Sequence, residues 1–171
     1  MSKDNSKIDE EAEKKEIVKQ YRALLRKIPG KLSSEDKKQL RAALNVAVDA
    51  HKHMRRKSGE PYILHPIAVA RIAAEEIGLG ATSIICALLH DVVEDSEWTN
   101  EEIKKKFGTK VASIIAGLTK IDGVIVGKDS MQAENFRKLL LTMADDVRVI
   151  LIKLCDRLHN MRTLSSMSKK N

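Results

Sequence analysis

At 171 residues, with 43% hydrophobic and only 3% aromatic side chains, the chain is long enough for one well-buried aliphatic domain and too short for two comfortable ones. Few glycines and prolines, set among many Ala, Leu, Ile, Lys and Glu, favour helices over strands. A formal net charge of +7 points to an anionic partner; by itself it leaves nucleic acid, membrane surface and phosphorylated metabolite open.

In chain order, residues 1–8 read as a disordered tail. A first amphipathic helix follows from about Ile8 to Lys27 and is ended by Ile28-Pro29-Gly30. Ser33-Ser34, followed by Glu35 and Asp36, caps a second helix from Glu35 to about Arg55, with Leu40, Ala43, Leu44, Ala47 and Val48 as its apolar stripe. The string RKSGEPYILH then reads as a loop. Pro66 opens a third helix that ends near Gly78, and Thr82 to Val92 is a fourth, almost wholly apolar and therefore central. Thr99 caps a short helix from Glu101 to Phe107, ended by Gly108, and Thr109 to Lys120 forms another. IDGVIVGKDS, residues 121–130, has the glycines and polar residues of a flexible loop. A helix then runs from about Ser130 to Met143, and Asp145-Asp146 leads into the last one, through Thr163; the closing SSMSKKN carries no packing signal. The expectation is an all-α bundle of about eight helices in a single domain, residues 1–171.

Both cysteines, Cys86 and Cys155, lie in apolar helical runs and read as plain buried thiols, which implies a reducing, cytoplasmic setting. The charged N-terminus has no apolar signal-peptide core, and no stretch approaches the length of a bilayer span. A nucleic-acid binder would add stacking aromatics to a basic stripe, whereas this chain has one Trp, two Tyr and two Phe. Neither a membrane nor a nucleic acid is therefore an expected partner.

The chemistry centres on His90-Asp91, at the end of the apolar run ATSIICALLHD. A histidine and an aspartate near the end of a buried helix are costly to leave uncompensated, and a metal ion would compensate them. His65, just before Pro66, and Asp156, inside VRVILIKLCDRLHNM, complete a set of two imidazoles and two carboxylates suited to a divalent transition metal.

If the fourth helix continues one more turn, Glu94 lies four residues beyond His90 and Asp95 four beyond Asp91, each on its ligand's face. Read alone, these acids are a solvated loop; beside a metal they become candidates to orient a water or protonate a leaving group. Asn160 and Thr163 follow Asp156 along one face, and Lys153, Arg157 and Arg162 are possible phosphate contacts on the same helix. Arg56-Lys57-Ser58 places two cations near His65, although a basic helix C-terminus would look the same. His51, His53 and His159 read as structural or surface histidines.

The strings RKSGEPYILHP, ALLHDVVED, AENFRK and VILIKLCDRLHNMRTL resemble, in order and spacing, the hydrolase domain of the RelA/SpoT-type guanosine tetraphosphate proteins, a branch of the HD phosphohydrolases. The resemblance covers roughly residues 15 to 165. It implies an HD-domain helical bundle in which His65, His90, Asp91 and Asp156 hold manganese and Glu94 and Asp95 are the paired catalytic acids. It likewise sets Arg56, Lys57, Ser58, Asn160 and Thr163 near the guanine and ribose-phosphate. The implied reaction is manganese-dependent hydrolysis of the 3′-pyrophosphate of (p)ppGpp to GDP or GTP and pyrophosphate, in stringent-response control. The chain is then expected to be the N-terminal part of a longer bifunctional protein with downstream synthetase and regulatory domains, and segment 121–130 to lie where the two activities could be coupled. The alternatives are a metal-dependent phosphohydrolase of another nucleotide, such as a dNTP or NADPH, and a non-catalytic nucleotide-sensing module.

Overall fold

A computed structural model describes residues 9–125 and 146–168, together with residues 134, 136, 137 and 141. Among these the chain is helical, with seven helices of more than one turn and a single-turn helix at the candidate site. The expected disordered tail at residues 1–8 lies outside the described residues.

Local chemistry sets most boundaries. Helix α1, Glu10–Lys27, starts where the Asp9 carboxylate accepts the Ala12 amide at 3.1 Å, and stops at Ile28, whose backbone the following Pro29 keeps extended. Helix α2, Ser34–Ala50, is opened by a reciprocal capping box between Ser33 and Asp36. It ends at His51 and does not continue to Arg55. The His51 ring turns back to the Ala47 carbonyl, Nδ1 to O 2.8 Å, and the chain folds into a tight loop. The Tyr62 amide donates to the Met54 carbonyl in that loop, the Arg56 amide donates to the Glu60 carbonyl, and Gly59 takes φ +98°. This loop carries Arg56, Lys57 and Ser58.

Helix α3, Leu64–Ile72, begins two residues before Pro66 and passes into a wider π-helical turn, Ala73–Ile77, closed by Gly78 at φ +80°. Helix α4, Ala81–Leu89, buries every residue from Ser83 to Leu89 and packs against α2 and α3. It stops at Leu89, short of Val92. Asp91 sits at φ −102°, ψ −4°, in the sparsely populated bridge region. One turn, α5, Val92–Asp95, then resumes the helix, and the Asp95 amide donates to the Asp91 carbonyl at 2.9 Å.

Helix α6, Asn100–Phe107, has a second capping box, Thr99 with Glu102, and ends at Gly108. Helix α7, Thr109–Ile125, runs through the first half of the segment expected to be a loop. Ile121 is buried and Asp122 is salt-bridged to Lys153, which together outweigh the roughly 1 kcal/mol that Gly123 costs a helix. Residues 126–130 lie outside the described residues, as does most of the expected helix from Ser130 to Met143; Glu134, Phe136, Arg137 and Leu141 are helical. The last helix, α8, Val147–Ser168, continues past Thr163, because no glycine or proline interrupts it.

One aliphatic core joins these elements. Leu24, Leu40, Ile67, Ile84, Leu88, Ile114 and Ile152 are among its most buried side chains, and α4 lies between α2, α3, α7 and α8. Cys86 and Cys155 are free, buried thiols, pushed up by burial to about 12 and about 11 respectively. Among the described residues no helix is long and apolar enough to cross a membrane.

Candidate active site

The first turn of α3, the α4–α5 break and the middle of α8 bring His65, His90, Asp91 and Asp156 to one point. His65 Nε2 is 2.9 Å from Asp156 Oδ1 and 3.9 Å from Asp91 Oδ2. His90 Nε2 is 3.0 Å from Asp91 Oδ2 and 3.5 Å from Asp156 Oδ1. Donor atoms of His65, His90 and Asp91 all lie within 4.8 Å of one another.

Electrostatics single out His90. Its Nδ1 lies 2.6 Å from the Ala87 carbonyl, which can only accept, so Nδ1 carries a proton. The neutral ring therefore turns the Nε2 lone pair toward two carboxylate oxygens. That atom is buried, and neither oxygen is aligned with it for a hydrogen bond. Either a second proton or a cation must occupy the space between them. Burial opposes the charged imidazole, but the Asp91 and Asp156 carboxylates outweigh burial and hold the His90 pKa well above its ordinary value. Asp91 and Asp156 are held low: burial opposes their charge, His90 overrides it at Asp91, and His65 and His90 override it at Asp156. A buried, unaligned nitrogen beside two ionised carboxylates fits a divalent cation with mixed N/O ligands.

Neighbouring groups hold this cluster in place. Tyr62 Oη donates to Asp91 Oδ2 at 2.6 Å, Asn160 Nδ2 donates to Asp156 Oδ1 at 3.2 Å, and Lys153 Nζ donates to Asp156 Oδ2 at 3.0 Å. On its far side His65 meets His159, Nδ1 to Nδ1 2.7 Å.

The two acids of α5 have different surroundings. Glu94 is hydrogen-bonded to Asp122 of α7, and loss of hydration together with the Asp122 charge pushes its pKa up to about 7. Lys153 bridges Asp122 and Asp156. Asp95 instead faces His51, whose Nε2 is 3.3 Å from Asp95 Oδ2.

Beside the cluster opens a cavity of about 510 Å³ lined by Arg56, Lys57, Ser58, Tyr62, Asn160 and Thr163, among others. Arg56 Nη2 donates to Asn160 Oδ1 at 3.2 Å and to Thr163 Oγ1 at 3.0 Å, which ties the loop after α2 to α8. Lys57 and Ser58 are exposed at its rim. Arg55 is occupied by a bidentate pair with Glu13, and Arg162 by Glu76; Arg157 is exposed. Of the three basic residues considered on the last helix, only Lys153 reaches the cluster.

Tyr62, His159, Asp122 and His51 were not among the expected site residues. Tyr62 lies in the turn before α3, where no helical spacing marks it; His159, read as a structural or surface histidine, stands three residues after Asp156 on α8, a helical spacing that identifies it as a neighbour of the site. Asp122 was hidden by the reading of its segment as a loop.

Comparisons with known proteins agree with this arrangement. A family model described as HD domain matches residues 43–171. The bifunctional (p)ppGpp synthase/hydrolase SpoT of Escherichia coli K12 is 50% identical over 80% of this chain. A guanosine-3′,5′-bis(diphosphate) 3′-pyrophosphohydrolase of Aquifex aeolicus is 51% identical over 74% of it. The chain spans about 19% of the length of the first and 18% of the second. A solved structure, described as a metazoan ortholog of SpoT that hydrolyses ppGpp and plays a role in starvation responses, superposes with a TM-score of 0.60 at 29% identity. That match covers 80% of this chain and 74% of the other. A domain model spanning three quarters of the sequence, half-identical relatives and a shared fold place this chain in the HD-domain family, in its RelA/SpoT branch.

Proposed function

We propose that the chain is a (p)ppGpp hydrolase domain that removes the 3′-pyrophosphate of guanosine tetra- or pentaphosphate, giving GDP or GTP and pyrophosphate. The observation that carries this reading is the buried, unaligned Nε2 of His90 facing Asp91 and Asp156 at the edge of a cation-lined cavity. The Aquifex aeolicus relative is named for this activity and the Escherichia coli K12 relative as a (p)ppGpp synthase/hydrolase, which supports the choice of substrate.

His65, His90, Asp91 and Asp156 would hold manganese, whose chemistry when bound is Lewis-acid activation of water and of a phosphoryl oxygen. The remaining work falls to side chains. Arg56, with Lys57 and Ser58 at the rim, binds the phosphates, and Asn160 and Thr163 fix the Arg56 fork against the ribose side. Hydrolysis forms a bond from water oxygen to phosphorus and breaks the bond from phosphorus to the ribose 3′-oxygen, which must leave with a proton. A carboxyl near pKa 7 can deliver one at neutral pH, and Glu94 is such a group; Asp95, set against His51, orients the water. Lys153 keeps Asp122 and Asp156 charge-balanced during the step. Positioning and electrostatics of this kind account for most phosphoryl-transfer catalysis.

The relatives' greater length supports downstream synthetase and regulatory domains in the full protein, and the two free thiols fit a cytoplasmic setting. The deciding assay incubates chelator-treated protein with guanosine tetraphosphate, with and without added manganese, and resolves the products by ion-exchange chromatography. Manganese-dependent GDP and pyrophosphate, lost in Asp91→Ala, are expected. Turnover of a dNTP or NADPH with none of guanosine tetraphosphate would overturn the substrate assignment.

A further inference from the structure

Each imidazole facing the proposed metal position must present an unprotonated Nε2, so something must hold the proton on the opposite nitrogen. For His90 that group is the Ala87 carbonyl, which can only accept. For His65 the only group at hydrogen-bond distance from Nδ1 among the described residues is another imidazole, His159, at 2.7 Å, with ring centroids 4.9 Å apart. Unlike a carbonyl, an imidazole can either donate or accept there.

The contacts on both sides of His65 define two consistent proton arrangements. In the first, His159 Nδ1–H donates to His65 Nδ1, and His65 Nε2–H donates to Asp156 Oδ1 across 2.9 Å. In the second, His65 Nδ1–H donates to His159 Nδ1, the lone pair of His65 Nε2 is free for a cation, and His159 carries its proton on Nε2. Both rings stay neutral in both arrangements, so the pair exchanges tautomers with no net gain or loss of protons. Going from the first to the second, His65 Nε2 gives up its proton as the cation enters, the shared proton passes from His159 Nδ1 to His65 Nδ1, and His159 Nε2 takes one from solvent. His159 is half-buried and its ring lines a separate cavity of about 420 Å³ between α1, α3 and α8 that admits solvent.

We propose that His159 is a positioning residue for His65, accepting a hydrogen bond from His65 Nδ1–H when a divalent cation takes the Nε2 lone pair. The inference rests on the metal reading given above. Outer partners of metal-bound histidines commonly alter metal affinity by 10- to 100-fold, and here that partner would be a neutral ring able to reverse its role.

Calorimetric titration of manganese into the wild-type chain, His159→Leu and His159→Asn tests the proposal. Leucine fills the space without an acceptor, whereas the asparagine Oδ1 stands where Nδ1 stood. We expect leucine to weaken manganese binding by roughly 10- to 100-fold and asparagine to restore it to within about threefold, with unchanged circular dichroism. Wild-type affinity in the leucine variant, or equal weakness in a folded asparagine variant, overturns the proposal. Should the leucine variant not fold, long-range 1H–15N spectra of the zinc-loaded wild type decide: a proton on His159 Nδ1 overturns the proposal, and an unprotonated Nδ1 supports it. A wild-type chain that takes up neither manganese nor zinc overturns the metal reading itself, an outcome separate from metal binding that His159 does not influence.

Discussion

Replacing Asp122 with asparagine tests the proton-donor assignment, because Asp122 bonds Glu94 and its charge is one of the two leading causes of the raised Glu94 pKa. With that pKa at about 7, roughly half of the molecules hold the Glu94 proton at pH 7 and about one in a hundred do at pH 9. The rate should therefore fall about tenfold per pH unit on the alkaline side. A carboxyl at the ordinary value of 4.5 would be protonated in only about 0.3% of molecules at pH 7, a loss of roughly 150-fold. Lost hydration, the larger cause, remains in the variant, so Asp122→Asn should lose only part of this, roughly 3- to 30-fold at pH 7. The break in the pH–rate profile should move to lower pH. Lys153 keeps Asp156 as a partner, which limits structural damage. The assay is the initial rate of pyrophosphate release at saturating manganese and substrate from pH 6 to 9.5, for wild type, Asp122→Asn and Glu94→Gln. An alkaline limb that stays in place in Asp122→Asn, or persists unchanged in Glu94→Gln, would refute the assignment.

Manganese at a hundred times its dissociation constant should stabilise the wild-type domain by about 2.7 kcal/mol, and differential scanning fluorimetry should show no such shift for His90→Ala. In metal-free protein, the folded-state pKa of His90 is raised above its unfolded value near 6.5; the stability it contributes is full below that value and lost as pH rises through the folded pKa, which urea melts from pH 6 upward should reveal. Tyr62→Phe removes the 2.6 Å donor to the Asp91 carboxylate and should cost about 1.5–3 kcal/mol in the same melts. Leu88→Ala, in the fully buried part of α4, should cost about 2–5 kcal/mol while circular dichroism stays helical.

What could be read from the sequence was local or carried a large energetic cost. The caps at Ser33 and Thr99 are three-residue interactions, and the apolar run of α4 allows no exposed face. His90 and Asp91 stand out in the sequence because burying them without partners is costly, and the fold brings them together with His65 and Asp156, the residues that complete the ligand set. Tertiary partners were harder to anticipate. Nothing near Tyr62 in sequence announces Asp91, 29 residues away, and His65 and His159 are separated by 94. Tertiary contacts also moved boundaries. Between Ala50 and Arg55 there is no glycine or proline to stop a helix; the His51 ring and the Met54–Tyr62 hydrogen bond end α2. Gly123 resembles a terminator, yet the buried Ile121 and the salt-bridged Asp122 anchor α7 immediately before it.

The backbone interruption after Leu89 has a consequence for how this domain tolerates change. Adjacent residues on an uninterrupted α-helix point about 100° apart, and the flattened backbone at Asp91, φ −102° and ψ −4°, changes that angle between His90 and Asp91. The 3.0 Å approach of His90 Nε2 to Asp91 Oδ2 is made with the helix interrupted at this point. A substitution that favoured unbroken helix from Ala81 to Asp95 would be expected to raise thermal stability and, by shifting the angle between the two side chains, to weaken metal uptake. Selection for heat resistance alone would thus tend to erode the site, and variants recovered from such a selection should be screened for manganese binding before they are called improved.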